Sequence, residues 1–287
     1  MTVSINSNLS ANRAQRILGT NSDNLNKVFE RLSSGQRINR SSDDAAGLAI
    51  ASLLESNVRI ASVGLRNAQD GISTVIVADS ALASMTNILG RLAELATQAA
   101  NAPYSMVQRS ALQSEFEVLG SELERIAVTT EFNGVNLLSG SPSLSFQIGF
   151  NGASTSQITV EQTGGATLQR LGLALAGSSA LTFSLSGTNR TDAQVAARSA
   201  LEAISSAVVS LNSMRSAFGR AETRLSSAIL SLQSSRENMQ SAQARIVDAD
   251  VAVEAADLTR INILQQAGAA VLAQANQLPQ LAAQLIR

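Results

Sequence analysis

Cysteine, histidine and tryptophan are absent from the 287 residues. Without Cys there is no disulfide framework and no thiolate chemistry. Without Cys or His, the usual bases, nucleophiles and transition-metal ligands are missing, and no glycine-rich phosphate loop stands between a strand and a helix. These absences argue against an enzyme and leave no evident cofactor site. Aromatic residues make up only 3%. A chain so poor in rings and so rich in Ala, Leu, Ser and Gln builds narrow helix–helix seams rather than one broad core. The net charge of −1 offers no field for nucleic acid or for a cationic partner. Lys27 is the only lysine; the arginine bias either suits forked contacts at protein interfaces or reflects genome composition. The opening MTVSINSNLSANRAQRI lacks the apolar stretch of a secretory signal peptide. The most apolar C-terminal window is interrupted by Arg260, Asn262, Gln265 and Gln266, so no membrane span is expected there.

What is present is helical periodicity. Ala11, Ala14, Leu18, Leu25, Val28 and Leu32 fall at alternating three- and four-residue spacing, with Asn21 in phase, which is the seam of an amphipathic helix or coiled coil. Gly35 can take the left-handed conformation that ends a helix. Ser41 and Asp44 have capping-box spacing, with Ser42 or Asp43 as alternative caps of the next helix. That helix carries a second seam from Ile50 through Leu54, Asn57, Ala61, Gly64, Ala68, Gly71, Val75, Ala78, Leu82, Met85, Leu89, Leu92, Ala96 and Ala99. The small residues from 61 to 71 predict close approach of a partner helix. The stretch 35–44, with Arg37 and Asn39 in its linker, is thus a joint between two helical layers.

Asn101-Ala102-Pro103 ends the second helix, and Pro103 can start another over about 104–128, with Val107, Ala111, Phe116, Leu119, Leu123 and Ile126 as its apolar face. The period then changes. Leu144, Phe146, Ile148 and Phe150 alternate, as do Ile158 and Val160 and then Leu181, Phe183 and Leu185, which predicts short strands. Residues 168–176 read as strand or helical turn. Helical phase resumes near Asp192 with Leu201, Ile204, Val208, Leu211, Phe218, Leu225, Ile229, Leu232, Met239 and Ile246, placing Arg215, Glu222 and Arg236 in the seam. A last helix, with Ile261, Leu264, Gly268, Val271, Ala275 and Leu278 in phase, is expected to end near Pro279. The expected fold is mainly α: a long antiparallel helical hairpin or coiled-coil bundle pairing N- and C-terminal segments, with a small β insertion at its tip. Replacing about 140–187 by a short turn would leave both seams and both termini intact, so the insertion is expected to be dispensable for assembly. Asp43-Asp44 reads as a cap; Asp248 and Asp250, if helical, point to different faces and do not make a joint metal site.

LSSGQRIN at 32–39 followed by DDAAGLAI at 43–50 closely resembles the N-terminal signature of bacterial flagellin. Ala244-Arg245-Ile246 with Asp248-Ala249-Asp250, and ILQQAGAAVLAQANQLPQ at 263–280, resemble its C-terminal signature; Glu131-Phe132-Asn133-Gly134 lies where that family leaves its helices. The resemblance covers both terminal thirds, while 139–191 matches nothing specific. It implies a short form without large outer domains: an inner terminal coiled coil of 1–43 with 244–287, and an outer bundle of 44–243 with a β region at about 132–190. It implies a homopolymer, the helical flagellar filament, exported through the flagellar type III apparatus without signal-peptide cleavage, and therefore an extracellular location. The implied partners are an export chaperone, the filament cap and hook–filament junction proteins, and the host innate-immune flagellin receptor.

By the same resemblance Leu18, Leu25, Val28, Leu32, Ile261, Leu264, Val271 and Leu278 serve subunit assembly, and Gly35, Arg37, Asn39, Asp43 and Asp44 form the inter-layer linker. Arg91, Glu94 and Leu95, facing Glu115, match the family's receptor patch, although Gly90 and Ala93 depart from its longer polar side chains. A solvated helix pair at Arg91 and Glu94, with Leu95 as a subunit contact, is the alternative reading of those residues. Two other identities share many features: the hook–filament junction protein, which has similar ends, and a generic intracellular coiled-coil scaffold. Both terminal helices are too poor in large apolar side chains to fold alone, so they are expected to become ordered only among copies.

Overall fold

The computed structural model describes residues 8–140, 143–160 and 165–285, with side chains through Gln277. Along the chain run α1 (Leu9–Ser34), α2 (Ala45–Ala100), α3 (Met106–Thr129), the strands β1 (Glu131–Phe132), β2 (Val135–Asn136), β3 (Leu144–Gln147) and β4 (Gln157–Val160), then α4 (Arg190–Val247) and α5 (Val251–Leu285). The chain divides into two compact units: Met1–Val58 with Glu237–Arg287, and Arg59–Arg236. The division falls within α2 and α4, not at the linkers where sequence alone puts it.

The second unit holds the large core. The α2 seam from Ala61 onward is buried as its spacing predicts, with Leu82, Met85, Leu89 and Leu92 all at 0% exposure. By length and composition α2 is also apolar enough to cross a bilayer, but it uses these residues to pack the unit's own core. From α3 come Phe116 and Leu123, and from α4 Ile204, Leu211, Phe218 and Leu225. Val107, expected on the α3 apolar face, is instead 82% exposed. Ser105 caps α3 in a reciprocal capping box with Gln108, which displaces the helix start from Pro103. Arg215 leaves the α4 seam to pair with Asp79 at 2.9 Å, and Glu222 is exposed, with Ala221 buried in its place.

The region between α3 and α4 keeps the short strands that the alternation at 144–150 and 158–160 predicts and corrects the third. β1 and β2 pair antiparallel around Asn133 (φ 51°) and Gly134 (φ 76°), a turn with two left-handed residues whose Asn-Gly sequence suits it. β3 and β4 form a second antiparallel ladder. Residues 168–176 are turns, and 181–185 form no strand. They are fixed from α3 instead: Gln113 Oε1 accepts from the Leu185 N–H at 2.5 Å, and Glu124 Oε2 accepts from the Leu168 N–H at 2.7 Å. Within the unit the stretch buries Ile158, Val160, Leu168, Leu171, Leu173 and Leu185 in the core.

The small-residue run on α2 serves this hairpin as well as a helix. A Cβ on Gly64 would lie 2.7 Å from the Ile148 carbonyl oxygen, and one on Gly71 would lie 3.2 Å from the Phe146 ring and 3.1 Å from Leu225 of α4. Asn67 Nδ2 donates to the Gln147 carbonyl at 2.8 Å beside that approach. The periodic pattern fixes which face is small but does not say whether strand or helix occupies it.

Candidate functional site

The first unit contains the residues for which the sequence predicts a role in assembly. α1 packs along α5, and its inward side chains are the expected ones: Ala14 and Val28 are buried, while Leu18, Asn21, Leu25 and Leu32 are half-buried. Leu18 fits against Gly268, where a Cβ would stand 2.9 Å from Leu18 Cδ2. On α5, Ile261, Gly268 and Ala275 hold the predicted phase, but the positions between them are filled by Gln265 and Leu272, with Leu258 continuing the stripe. Leu264 and Val271 are 47% and 60% exposed. They therefore lie outside the seam, because the true phase advances four residues from Ile261 where the sequence reading advances three. The Leu278 side chain lies outside the described residues. The backbone of α5 continues through Pro279 to Leu285, a correction to the predicted stop.

Two polar features of this pair have no signature in helical periodicity. Arg31 Nη1 donates to Glu254 Oε1 at 3.2 Å, and Glu254 is 7% exposed in the first turn of α5, where a carboxylate favours the helix dipole. The second is Asn8, the cap of α1, whose Oδ1 accepts from the Ala11 N–H at 3.0 Å.

The joint is built from backbone. Gly35 closes α1 in the left-handed conformation (φ 71°), its N–H donating to the Arg31 carbonyl at 2.8 Å. Its own carbonyl accepts from the Ala249 N–H at 3.0 Å, and the Arg37 N–H donates to the Val247 carbonyl at 2.6 Å. The linker after α1 and the linker after α4 thus form a one-rung antiparallel bridge at Gln36 and Asp248. Arg37 Nη2 adds a bond to the Ile246 carbonyl at 2.7 Å, satisfying the C-terminal end of α4.

Side chains then fix each linker. Asn39 Nδ2 donates to Ser34 Oγ at 2.8 Å, and Ile38 is 2% exposed. Asp43 Oδ2 accepts from the N–H groups of Arg40 and Asn39 at 3.1 and 3.3 Å. The Arg40 amide above all, then that of Asn39 and the charges of Arg31 and Lys27, holds the Asp43 carboxyl below its ordinary value against the opposing effect of desolvation. Asp44, not Ser41, caps α2, its Oδ1 accepting from the Gly47 N–H at 2.8 Å. A Cβ on Gly47 would crowd the Asp44 carboxylate and lie 2.9 Å from Ile38 Cδ1, so these side chains would have to shift to admit it. Asp248 and Asp250 sit in the linker rather than on a helix, and Asp250 caps α5 through the Ala252 and Val253 amides at 2.9 and 3.3 Å.

In the second unit the predicted ion cluster is present. Arg91 Nη2 and Nε donate to Glu115 Oε1 at 2.7 and 3.0 Å, and Nη1 donates to Glu94 Oε2 at 2.8 Å. Glu94 first, then Glu115, raises the Arg91 pKa. Leu95 does not join this surface. It is 0% exposed, buried in the core beside the seam residue Ala96, at a position outside the predicted seam.

A helix pair with a seam of small residues and a joint stitched through backbone are features of a chain built from long packed helices. The chain belongs to the bacterial flagellin family. Its residues 5–143 match the bacterial flagellin N-terminal helical region and 201–286 the C-terminal helical region. It is 40% identical to a flagellin of Halalkalibacterium halodurans, over 99% of each chain. It is 37% identical to the flagellar filament 33 kDa core protein of Treponema phagedenis and 36% identical to a flagellin of Bacillus subtilis, again over 99% of each chain. A crystal structure of Bacillus cereus flagellin aligns with 62% of this chain and 94% of that one at 28% identity and a TM-score of 0.47. Near-full-length similarity to filament proteins favours a structural subunit of the flagellar filament over a hook–filament junction protein or an intracellular scaffold.

Proposed function

We propose that the terminal pair, 1–43 with 244–287, is the inner, polymer-forming layer of the flagellar filament and that 44–243 is the outer layer around it. The observation that carries this reading is an unpaired apolar surface on both helices. Leu9, Ile17 and Phe29 on α1, and Ile263, Leu264 and Val271 on α5, are all exposed although the two helices already pack together. Second copies of the same pair are the natural cover, and head-to-tail contacts that do not close generate a helix. Leu264 and Val271 therefore act between subunits rather than within one. The joint, through Gly35, Arg37, Asn39, Asp43 and Asp44, holds the two terminal segments in common register as they enter the outer layer. Replacing Leu264 and Val271 together by Asp tests this. Filaments should be lost while the melting of residues 59–236 is unchanged; filaments of normal yield would remove the surface from the interface.

The remaining roles follow from the family. The chain leaves through the flagellar type III apparatus uncleaved, its C-terminal helix held by an export chaperone until then. It is inserted beneath the filament cap, beyond the junction proteins. The innate-immune receptor contacts Arg91, Glu94 and Glu115, without Leu95. Support comes from the exposed setting of Arg91, which donates to Glu115 Oε1 and Glu94 Oε2, since arginine is common among interface anchors. Equal receptor activation by wild type and Arg91→Ala would exclude the patch.

A further inference from the structure

Pro279 lies inside α5, with the helix continuing to Leu285. Proline has no N–H, so the carbonyl four residues earlier has no intrahelical donor. That carbonyl belongs to Ala275, a residue 5% exposed in the seam with α1, where an unpaired acceptor is costly. It is not unpaired. Asn8 Nδ2 donates to the Ala275 oxygen at 2.8 Å. The same side chain uses its oxygen to cap α1, accepting from the Ala11 N–H at 3.0 Å. One amide thus satisfies an orphan donor at the start of α1 and the one orphan acceptor that Pro279 creates on α5.

We propose that Asn8 and Pro279 together set the register of the terminal helix pair. The need arises from the seam itself. Ala11, Ala14, Gly268 and Ala275 are small, and such stripes pack nearly as well when one helix slides by a heptad. Polar groups that must meet are the usual device against sliding. Here there are two, about six helical turns apart: Arg31 with Glu254 next to the joint, and Asn8 with Ala275 at the far end. Any slip leaves the buried Glu254 carboxylate and the Ala275 carbonyl unmet at once. Asn is the side chain that fits, because Ser, Thr and Asp cap equally well but bring no amide donor. Pro279 is accordingly not a stop signal but half of a lock. Because a filament admits only subunits with identical terminal pairs, the lock acts as a positioning device for polymerisation, and it rests on the filament reading above.

The test is a double-mutant cycle in the full-length chain, read as the critical concentration for seeded polymerisation. Asn8→Ser keeps a capping oxygen but cannot reach Ala275. It should raise the critical concentration about tenfold, or about 1.4 kcal/mol. Pro279→Ala restores the missing N–H, so Asn8→Ser should change the critical concentration by less than about twofold in that background. Rescue by a substitution on the other helix is what a generic loss of stability would not give. Equal, additive effects of Asn8→Ser in both backgrounds would overturn the proposal. Failure of the wild-type chain to polymerise would overturn the filament reading instead. The same four chains would then be compared by hydrogen exchange of the α5 amides, with additivity again decisive against the lock.

Discussion

The two compact units are made from helices of similar composition, yet they solve different problems. Residues 59–236 bury a continuous set of Leu, Met, Ile and Phe side chains from α2, α3, α4 and the intervening loops. Residues 8–58 with 237–285 bury mainly Ala14, Val28, Ile38, Ala51, Val247, Ile261 and Ala275, and leave aliphatics of similar size exposed. Backbone ordering opposes folding by about 1–2 kcal/mol per residue in either unit. In the second the burial is broad, whereas in the first it is a narrow seam beside exposed aliphatics, which the proposed reading covers with other copies. The same helical period therefore supports a broad core in one place and a narrow seam in another, and the size of the seam residues decides which.

The largest effect expected from breaking this contrast lies in the irregular loops of the second unit. Replacing 140–187 by a short Gly/Ser turn removes Ile158, Val160, Leu168, Leu171, Leu173 and Leu185 from the core. The cooperative melt of the monomer, followed by circular dichroism, should disappear. A preserved transition would mean that the hairpin only decorates the bundle.

Single truncations sharpen the comparison. Phe116→Ala should destabilise the monomer by about 3–5 kcal/mol, seen as a lower Tm. Ile261→Ala, although its side chain is also buried, should leave the monomer Tm unchanged and raise the critical concentration for polymerisation. A Tm that falls equally for both variants would erase the distinction between the units. Gly64→Ala is smaller again. The new methyl group meets the Ile148 carbonyl oxygen, and overpacking of this kind costs about 1–3 kcal/mol in monomer denaturation.

The smallest effect concerns pH. The folded Asp43 carboxyl titrates below its ordinary value, so its contribution is fully present above that value and is lost as pH falls through the lower folded one. Protection of the Asn39 and Arg40 amides relative to their intrinsic exchange rate should therefore fall as pH drops below the ordinary carboxyl range. Asp43→Asn should flatten that response while leaving the pH dependence of the α3 amides as it was.

Much of this architecture is legible in the sequence because it is periodic. The α2 seam from Ala61 to Ala99 and the α1 seam from Ala14 to Leu32 follow from spacing alone, and Gly35 marks the end of α1 by the chemistry of the left-handed cap. Errors arise where periodicity is degenerate or silent. On α5 a run of apolar residues allows two phases. Leu264 and Val271 are as hydrophobic as Leu272, and only the α1 partner selects between them. Ser41, Asp43 and Asp44 all have cap chemistry, and it is the Asp44 carboxylate that meets the Gly47 N–H. Arg31–Glu254 and Asn8–Ala275 join residues from opposite ends of the chain, which no local pattern encodes. A signal for the second did exist. A proline in a helix without a break implies a donor for the carbonyl four residues before it.

Hydrogen exchange of monomer and filament, compared residue by residue, tests the central claim most directly. If the terminal pair gains its stability from neighbouring copies, α1 and α5 amides should exchange without protection in the monomer and become protected in the filament. Those of the α2 segment at 78–99 should be protected in both. Terminal amides protected in the monomer as strongly as those of 78–99 would show that the narrow seam folds without partners, and would contradict the account.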